Sequence, residues 1–390
     1  MATYTYADLK TKYDSFQHPV IVLTVNGKDF AKNKEGFIVS DIEVELTSGY
    51  EASIATFTLY NVFDKDNSAF TIDTVKPYFL LGSSVEIALG YEKQARSIFC
   101  GFISRVNFVY EAGDMPGIRV TAMDVKGVMM ANNYSRQLTA TSYGEAVKEI
   151  LNKNAYAKMT SQKIIRSLNI SDTPDKPLKL PSPPRATDRT IEMVAESDYE
   201  FVVKAAKKYN YEFFTECGNV YFRKAKAGSE VVMEMGPAEG LRSFDVEYDI
   251  TGLVETIQAR STDVGKARLI QARRKFSNKI SIGNKAKAYI KKTEKVYLDA
   301  TVTSQQEADY RVQSLMEEIS YRFGSLECDC IGMPELLPGK FFRLKSLGCP
   351  PENEFYIVRA VHKVSEDRGY ETKLYGKAAS ISPTTGGGLI

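Results

Sequence analysis

Two histidines, His18 and His362, are all this chain offers for the commonest kind of general-base chemistry. His18 precedes Pro19 at the head of one apolar run, and His362 lies inside another. No nucleophile elbow, H-E-x-x-H pair or glycine-rich phosphate loop accompanies either. One set of metal-ligand types stands out, Cys328, Cys330, Cys349 and His362, chemically a three-Cys, one-His zinc set. Structural zinc sites usually pair cysteines about two to four residues apart, whereas Cys-x-Cys on a strand points both thiols to one face. Buried free thiols are therefore expected, with no metal and no cofactor. Asp41, Glu43 and Glu45 alternate along one predicted strand and share a face. That pattern suits a solvated surface or the electrostatic lining of an assembly. The sequence nominates no catalytic residue, and we read the chain as a non-enzyme.

Charge is distributed unevenly. Residues 266–292 carry ten Lys or Arg and no Asp or Glu, while the whole chain has a formal charge of only +2. A basic segment is thus set on an acidic body. With Phe276 and Tyr289 as its only stacking groups, sequence-specific nucleic acid is not expected as a partner. A solvated hairpin and an arm against an acidic protein both fit; in the second case Arg273, Arg274 and Lys275 are the expected contact residues. Five scattered cysteines, an odd number, argue for a reducing compartment rather than a disulfide framework. The first residues lack the features of a secretory signal, and no stretch approaches the ~20 apolar residues of a membrane span, so no membrane is expected.

These residues must be positioned by a chain of 390 residues, 43% apolar and 26% charged, which predicts a folded protein of two or three domains. From Val20 to about Asn132 the apolar period is two. Asn26-Gly27 marks a tight hairpin, because both residues tolerate the positive φ of a type I′ turn. Several strands with one wet and one dry face close most economically as a barrel or sandwich. Near Thr141 the pattern changes. Ser142-x-x-Glu145, Ser197-x-x-Glu200 and Ser304-x-x-Glu307 have capping spacing and open three predicted helices, the last running to about Arg322. Asn210 is a left-handed stop for the second. A proline-rich connector spans the prolines from 174 to 184, and residues 380–390 read as a flexible tail whose Leu389 and Ile390 could dock on a partner.

Two β-rich stretches also read as copies. The first runs from Leu80-Leu81-Gly82 through a strand, a gap, a second strand from Phe99, an acidic turn and a return from Ile118. The second runs from Leu336-Leu337-Pro338-Gly339 through the same order of features to a return from Tyr370. Chance similarity of glycine-punctuated strands is the alternative.

The stretch Glu196-Ser197-Asp198-Tyr199-Glu200-Phe201, with the helix to Tyr209 and the strand to Phe214, resembles a signature of phage late-control gene D proteins, the baseplate hubs of contractile tails. The hub part of type VI secretion spike proteins shares it. Residues 251–263 are similar to the family's return strand, and residues 356–362 with 369–372 resemble its closing hairpin. The resemblance implies a mainly β (α+β) fold with two related tube-like antiparallel β-barrel domains. These would occupy residues 1–135 and 246–379, the second with one long helix, around an α+β middle region at 136–245 that includes the proline-rich connector. It implies a structural baseplate hub, a homotrimer whose six quasi-equivalent units join a sixfold tail tube to a threefold spike. Expected partners are the tail tube protein, a separate spike protein, other baseplate proteins and the end of a tape-measure protein. Assembly would take place in the bacterial host cytoplasm, and the product would be part of a virion or tail-like particle. A β-rich adhesin or carbohydrate-binding module is the alternative.

Overall fold

The structure, a computed structural model, describes residues 4–30, 36–131, 133–175, 191–228, 230–263, 267–276, 284–348 and 350–381. Its dominant feature is a single 13-stranded sheet assembled from both ends of the chain. The first half contributes β1 (Pro19–Val25), β2 (Ile38–Thr47), β3 (Ile54–Tyr60), β4 (Ser84–Tyr91), β5 (Gln94–Val109) and β6 (Gly117–Met123), with the short strand Lys28–Asp29 beside β1 as the thirteenth. The second contributes β7 (Val231–Met235), β8 (Leu241–Tyr248), β9 (Gly324–Ile331), β10 (Phe341–Leu344), β11 (Glu354–Ser365) and β12 (Gly369–Ala378). Neighbours in the first array follow the order β2-β3-β6-β5-β4-β1, and in the second β8-β9-β12-β11-β10-β7. The chain therefore lays down the same six-strand array twice. One pair differs: β1 runs antiparallel to β4, whereas β7 runs parallel to β10.

The likeness extends to single hydrogen bonds. Gly82 N donates to Ile103 O and Ile103 N to Ser83 O, both at 2.9 Å; Gly339 N donates to Ile357 O at 3.0 Å and Ile357 N to Lys340 O at 2.8 Å. A bulge follows at once in each array, between Ile103 and Arg105 against β6 and between Ile357 and Arg359 against β12. Both glycines have left-handed φ, +81° and +86°, where a side chain is strained. Gly82 thus matches Gly339, Ile103 matches Ile357 and Arg105 matches Arg359, a register too detailed for chance similarity.

The predicted local signals are present. Asn26 and Gly27 both have positive φ, closing the tight turn between β1 and the short strand Lys28–Asp29. Helix α1 (Tyr6–Lys12) opens on a Thr5–Asp8 capping box, α2 (Tyr143–Leu151) on Ser142, α3 (Asp198–Tyr209) on a full Ser197–Glu200 box and α4 (Gln305–Ser320) on Ser304. Asn210 is left-handed at the end of α3, with φ 55° and ψ 51°. One expectation is corrected. Asp41 does not continue the Glu43 and Glu45 ladder, because the β2–β3 register breaks between Ser40 and Glu43 and Asp41 takes a left-handed φ of 53°. Asp tolerates that conformation, and Tyr60 Oη donates to its carboxylate at 3.1 Å.

Apolar residues of both arrays, among them Leu89, Phe57, Leu336, Phe355 and Leu374, form one continuous core. A second core fills the middle region, where α2 and α3 pack on the hairpin of Tyr211–Glu216 and Asn219–Lys224. Between β8 and β9 the chain inserts a small lobe. Strands Thr256–Asp263, Arg268–Lys275 and Glu294–Leu298 form its three-stranded sheet, which α4 covers with Ala308 and Val312. Among the described residues no helix is long and apolar enough to cross a membrane.

Candidate functional site

The feature with most consequence is the seam where the two arrays meet. Strand β11 pairs antiparallel with β2 from Arg359 opposite Thr47 to Val364 opposite Ile42, which makes the sheet continuous. Backbone edges join regardless of side chain, so the side chains must specify the register. On the core face Val44, Leu46 and Ala360 are buried together. On the other face Arg359 Nη1 lies 3.2 Å from Glu45 Oε1, and Lys363 Nζ lies 3.6 Å from Glu43 Oε2. The Arg359 guanidinium also stacks 3.8 Å from the Tyr375 ring centroid. Lys373 pairs with Glu327 one strand further on, and this hydrogen bond raises the lysine's proton affinity. The carboxylates of Glu43 and Glu45 thus belong to a mixed-charge face rather than an acid-base pair.

The middle region docks on the same seam through buried polar groups. Tyr356 Oη and Arg223 Nε both donate to the Glu212 carboxylate, the latter at 2.7 Å. Lys126, fully buried, donates to the carbonyls of Gly49 at 3.1 Å and Glu51 at 2.6 Å. Burial pulls its pKa down to about 8, against the pull of Asp124 and Glu51. Asp124 accepts from Ser53 N, Lys126 N and Thr215 Oγ1 at 3.0, 2.9 and 2.7 Å. The sequence reading missed this Asp-x-Lys pair, whose only signal is two charges immediately after a buried strand.

The structure explains the Glu-Ser-Asp stretch. Ser197 caps α3, and Glu196 holds Lys204 at 2.6 Å. Asp198 is completely buried; it accepts from Tyr156 Oη at 2.6 Å, from Tyr134 Oη and from Lys153 Nζ. One carboxylate thus ties α3 to two distant segments, a structural role for the signature.

His362 is buried in the second array. Its Nε2 lies 3.1 Å from the Leu336 carbonyl, and its Nδ1 lies 2.9 Å from Tyr370 Oη and 3.2 Å from Thr372 Oγ1. A carbonyl only accepts, so Nε2 carries the proton and Nδ1 receives one from a hydroxyl. Desolvation pulls the imidazole down to about 4. Cys328 and Cys330 are buried free thiols, and burial pushes Cys328 up to about 12. Among the described residues no cluster of His, Cys, Asp or Glu could hold a metal. Cys349 lies outside the described residues.

Of the expected contact residues, Arg273 lies on the inserted lobe and makes a two-pronged pair with Glu294 of the same lobe, at 3.0 and 2.7 Å. Arg274 and Lys275 end that strand, exposed. Leu389 and Ile390 lie outside the described residues, as does most of the proline-rich connector.

Solved structures share this architecture. A tail protein from Neisseria meningitidis superimposes with a TM-score of 0.63 over 93% of this chain and 97% of its own, at 12% identity. The 43 kDa tail protein of prophage MuSo2 from Shewanella oneidensis gives 0.64 over 93% and 98%, also at 12% identity. A component of the E. coli type VI secretion system gives 0.55 over 94% and 79%, at 12% identity. The fold is therefore that of phage tail proteins and their type VI secretion relatives. By sequence, residues 21–366 match the family described as the Alg8 N-terminal domain, and the chain belongs to that family. Its description does not name late-control gene D proteins. Among curated proteins none matches.

Proposed function

We propose that this protein is a structural component of a tail baseplate, in the position of the hub. Three copies would form a ring of six nearly equivalent arrays that joins a sixfold tail tube to a threefold spike. The observation that carries this reading is the doubled six-strand array, matched down to its glycine turn and bulge. A ring that must meet a sixfold neighbour on one side and a threefold one on the other needs two copies of one unit per chain. A monomeric binding module has no such need. The likeness to tail proteins and a type VI component supports the same reading, and no residue is assigned a catalytic role.

On this reading the partners are the tail tube protein, a separate spike protein, other baseplate proteins and the end of a tape-measure protein. Membrane and specific nucleic acid are not among them. Assembly takes place in the host cytoplasm, and the product belongs to a virion or tail-like particle. The exposed Arg274 and Lys275, with Arg273, remain the proposed contact for an acidic neighbour, and Leu389 and Ile390 the proposed seat for the spike. Light scattering on the purified chain tests the ring: a mass of three chains is expected, and a stable monomer at micromolar concentration would refute it.

A further inference from the structure

We propose that the free edge of β5, over residues 105–109, pairs antiparallel with the free edge of β8 in a second copy of this chain. The seam between molecules would then repeat the β11–β2 seam within one. The inference deepens the ring reading, on which it rests, by naming the surfaces that close the ring. Strand β11 is the fifth strand of the second array and β2 the second strand of the first. Their counterparts are β5 and β8. Inside the chain β11 uses one edge twice, pairing with β10 up to Tyr356 and with β2 from Arg359 onward. Strand β5 pairs with β4 only as far as Phe102, and beyond the bulge that edge has no strand beside it among the described residues. Strand β8 ends the sheet and, among the described residues, pairs with β9 alone. The molecule therefore carries one satisfied seam and the two unmatched halves of another.

The side chains show what these halves lack. Phe108 corresponds to His362 and Phe244 to Ile42, through the shared pairing registers of β5 with β11 and β8 with β2. His362 and Ile42 are 0% exposed in the internal seam, whereas Phe108 is 50% and Phe244 39% exposed at the free edges. The charges recur as well. Arg105 matches Arg359 and Glu247 matches Glu45, the pair that clasps the internal seam. Arg105 and Glu247 are both exposed, and their side chains make no hydrogen bond or ion pair to a described residue. Transferring the internal register places Asn107 opposite Glu247, Phe108 opposite Val246 and Val109 opposite Asp245 of the neighbour. An exposed strand edge with apolar flanks invites a partner strand, and a head-to-tail seam of this kind closes a ring.

Three linked measurements on the purified full chain test the inference. Asn107→Cys with Glu247→Cys, treated with a short bifunctional thiol reagent, should give covalently joined chains that end at the closed ring. Each single variant and the opposite-face pair Asn107→Cys with Val246→Cys should give little product. Arg105→Glu should lower the ring fraction at least several-fold by light scattering, and adding Glu247→Arg should restore it. A ring that keeps its mass in Arg105→Glu and never crosslinks at these positions would overturn the edge pairing while leaving the ring reading intact. A chain that stays monomeric would overturn both.

Discussion

Asp198 and His362 each show how a polar residue with functional potential becomes a structural part. Asp198 is buried and its carboxyl group is surrounded by three donors from elements that precede α3 by many residues. Removing one member of a buried pair strands the other, so Asp198→Ala should cost about 3–5 kcal/mol in urea unfolding, because Lys153 then loses its counter-charge. A cost below ~1 kcal/mol would show that the network contributes little. His362 sets a pH dependence of defined sign. The imidazole titrates at about 4 when folded, below its ordinary value of 6.5. The unfolded chain thus binds a proton first as pH falls. The stability is complete above about pH 6.5 and is lost as pH falls toward 4, up to roughly 3 kcal/mol. His362→Gln should flatten the part of the pH-stability curve between these values relative to the parent chain; parallel curves would refute the assignment.

At the scale of elements the doubled array makes paired predictions possible, since each device occurs twice in different surroundings. A Cβ at Gly82 would meet nothing within 4 Å, whereas one at Gly339 would lie 2.9 Å from Phe214 and 3.1 Å from Arg223. Both positions share the left-handed strain, about 1–2 kcal/mol for a non-glycine residue. Gly82→Ala should therefore lose only that amount, and Gly339→Ala distinctly more, because it also pushes on the side chains that dock the middle region. Thermal melts of the two variants check the order; equal losses would mean that the Phe214 contact gives way freely. The caps were largely visible in the sequence because a cap needs only residues three positions apart. Even so, only α1 and α3 carry the reciprocal box, while the Glu145 and Glu307 carboxylates accept from Thr141 and Thr303 instead.

For the whole molecule, the β11–β2 seam makes the two arrays one cooperative unit. Strands more than three hundred residues apart share hydrogen bonds and a core, so opening one should expose the other. Native-state hydrogen exchange should find Val44 and Leu46 amides exchanging together with those of Ala360 and His362. Independent exchange of the two strands would show that the arrays are separately stable. The exposed surface pairs at the seam are secondary to this, since each contributes about 0–1 kcal/mol. They choose the register more than they hold the arrays together.

By itself the sequence determined the parts: alternation gave the strands, Asn-Gly and the Ser-x-x-Glu spacings gave the turn and helix starts, and two glycine-led stretches gave the repeat. All of these depend on contacts within a few residues, where type and spacing decide the energy. The tertiary structure decided which strand lies beside which, that the basic segment includes a strand of an inserted lobe, and that Asp198, Lys126 and His362 are buried. Edge-to-edge hydrogen bonding uses only backbone groups, which every residue carries, so no local pattern could have announced that β2 and β11 are neighbours or that, among the described residues, one edge of β8 and the last stretch of β5 have no strand beside them.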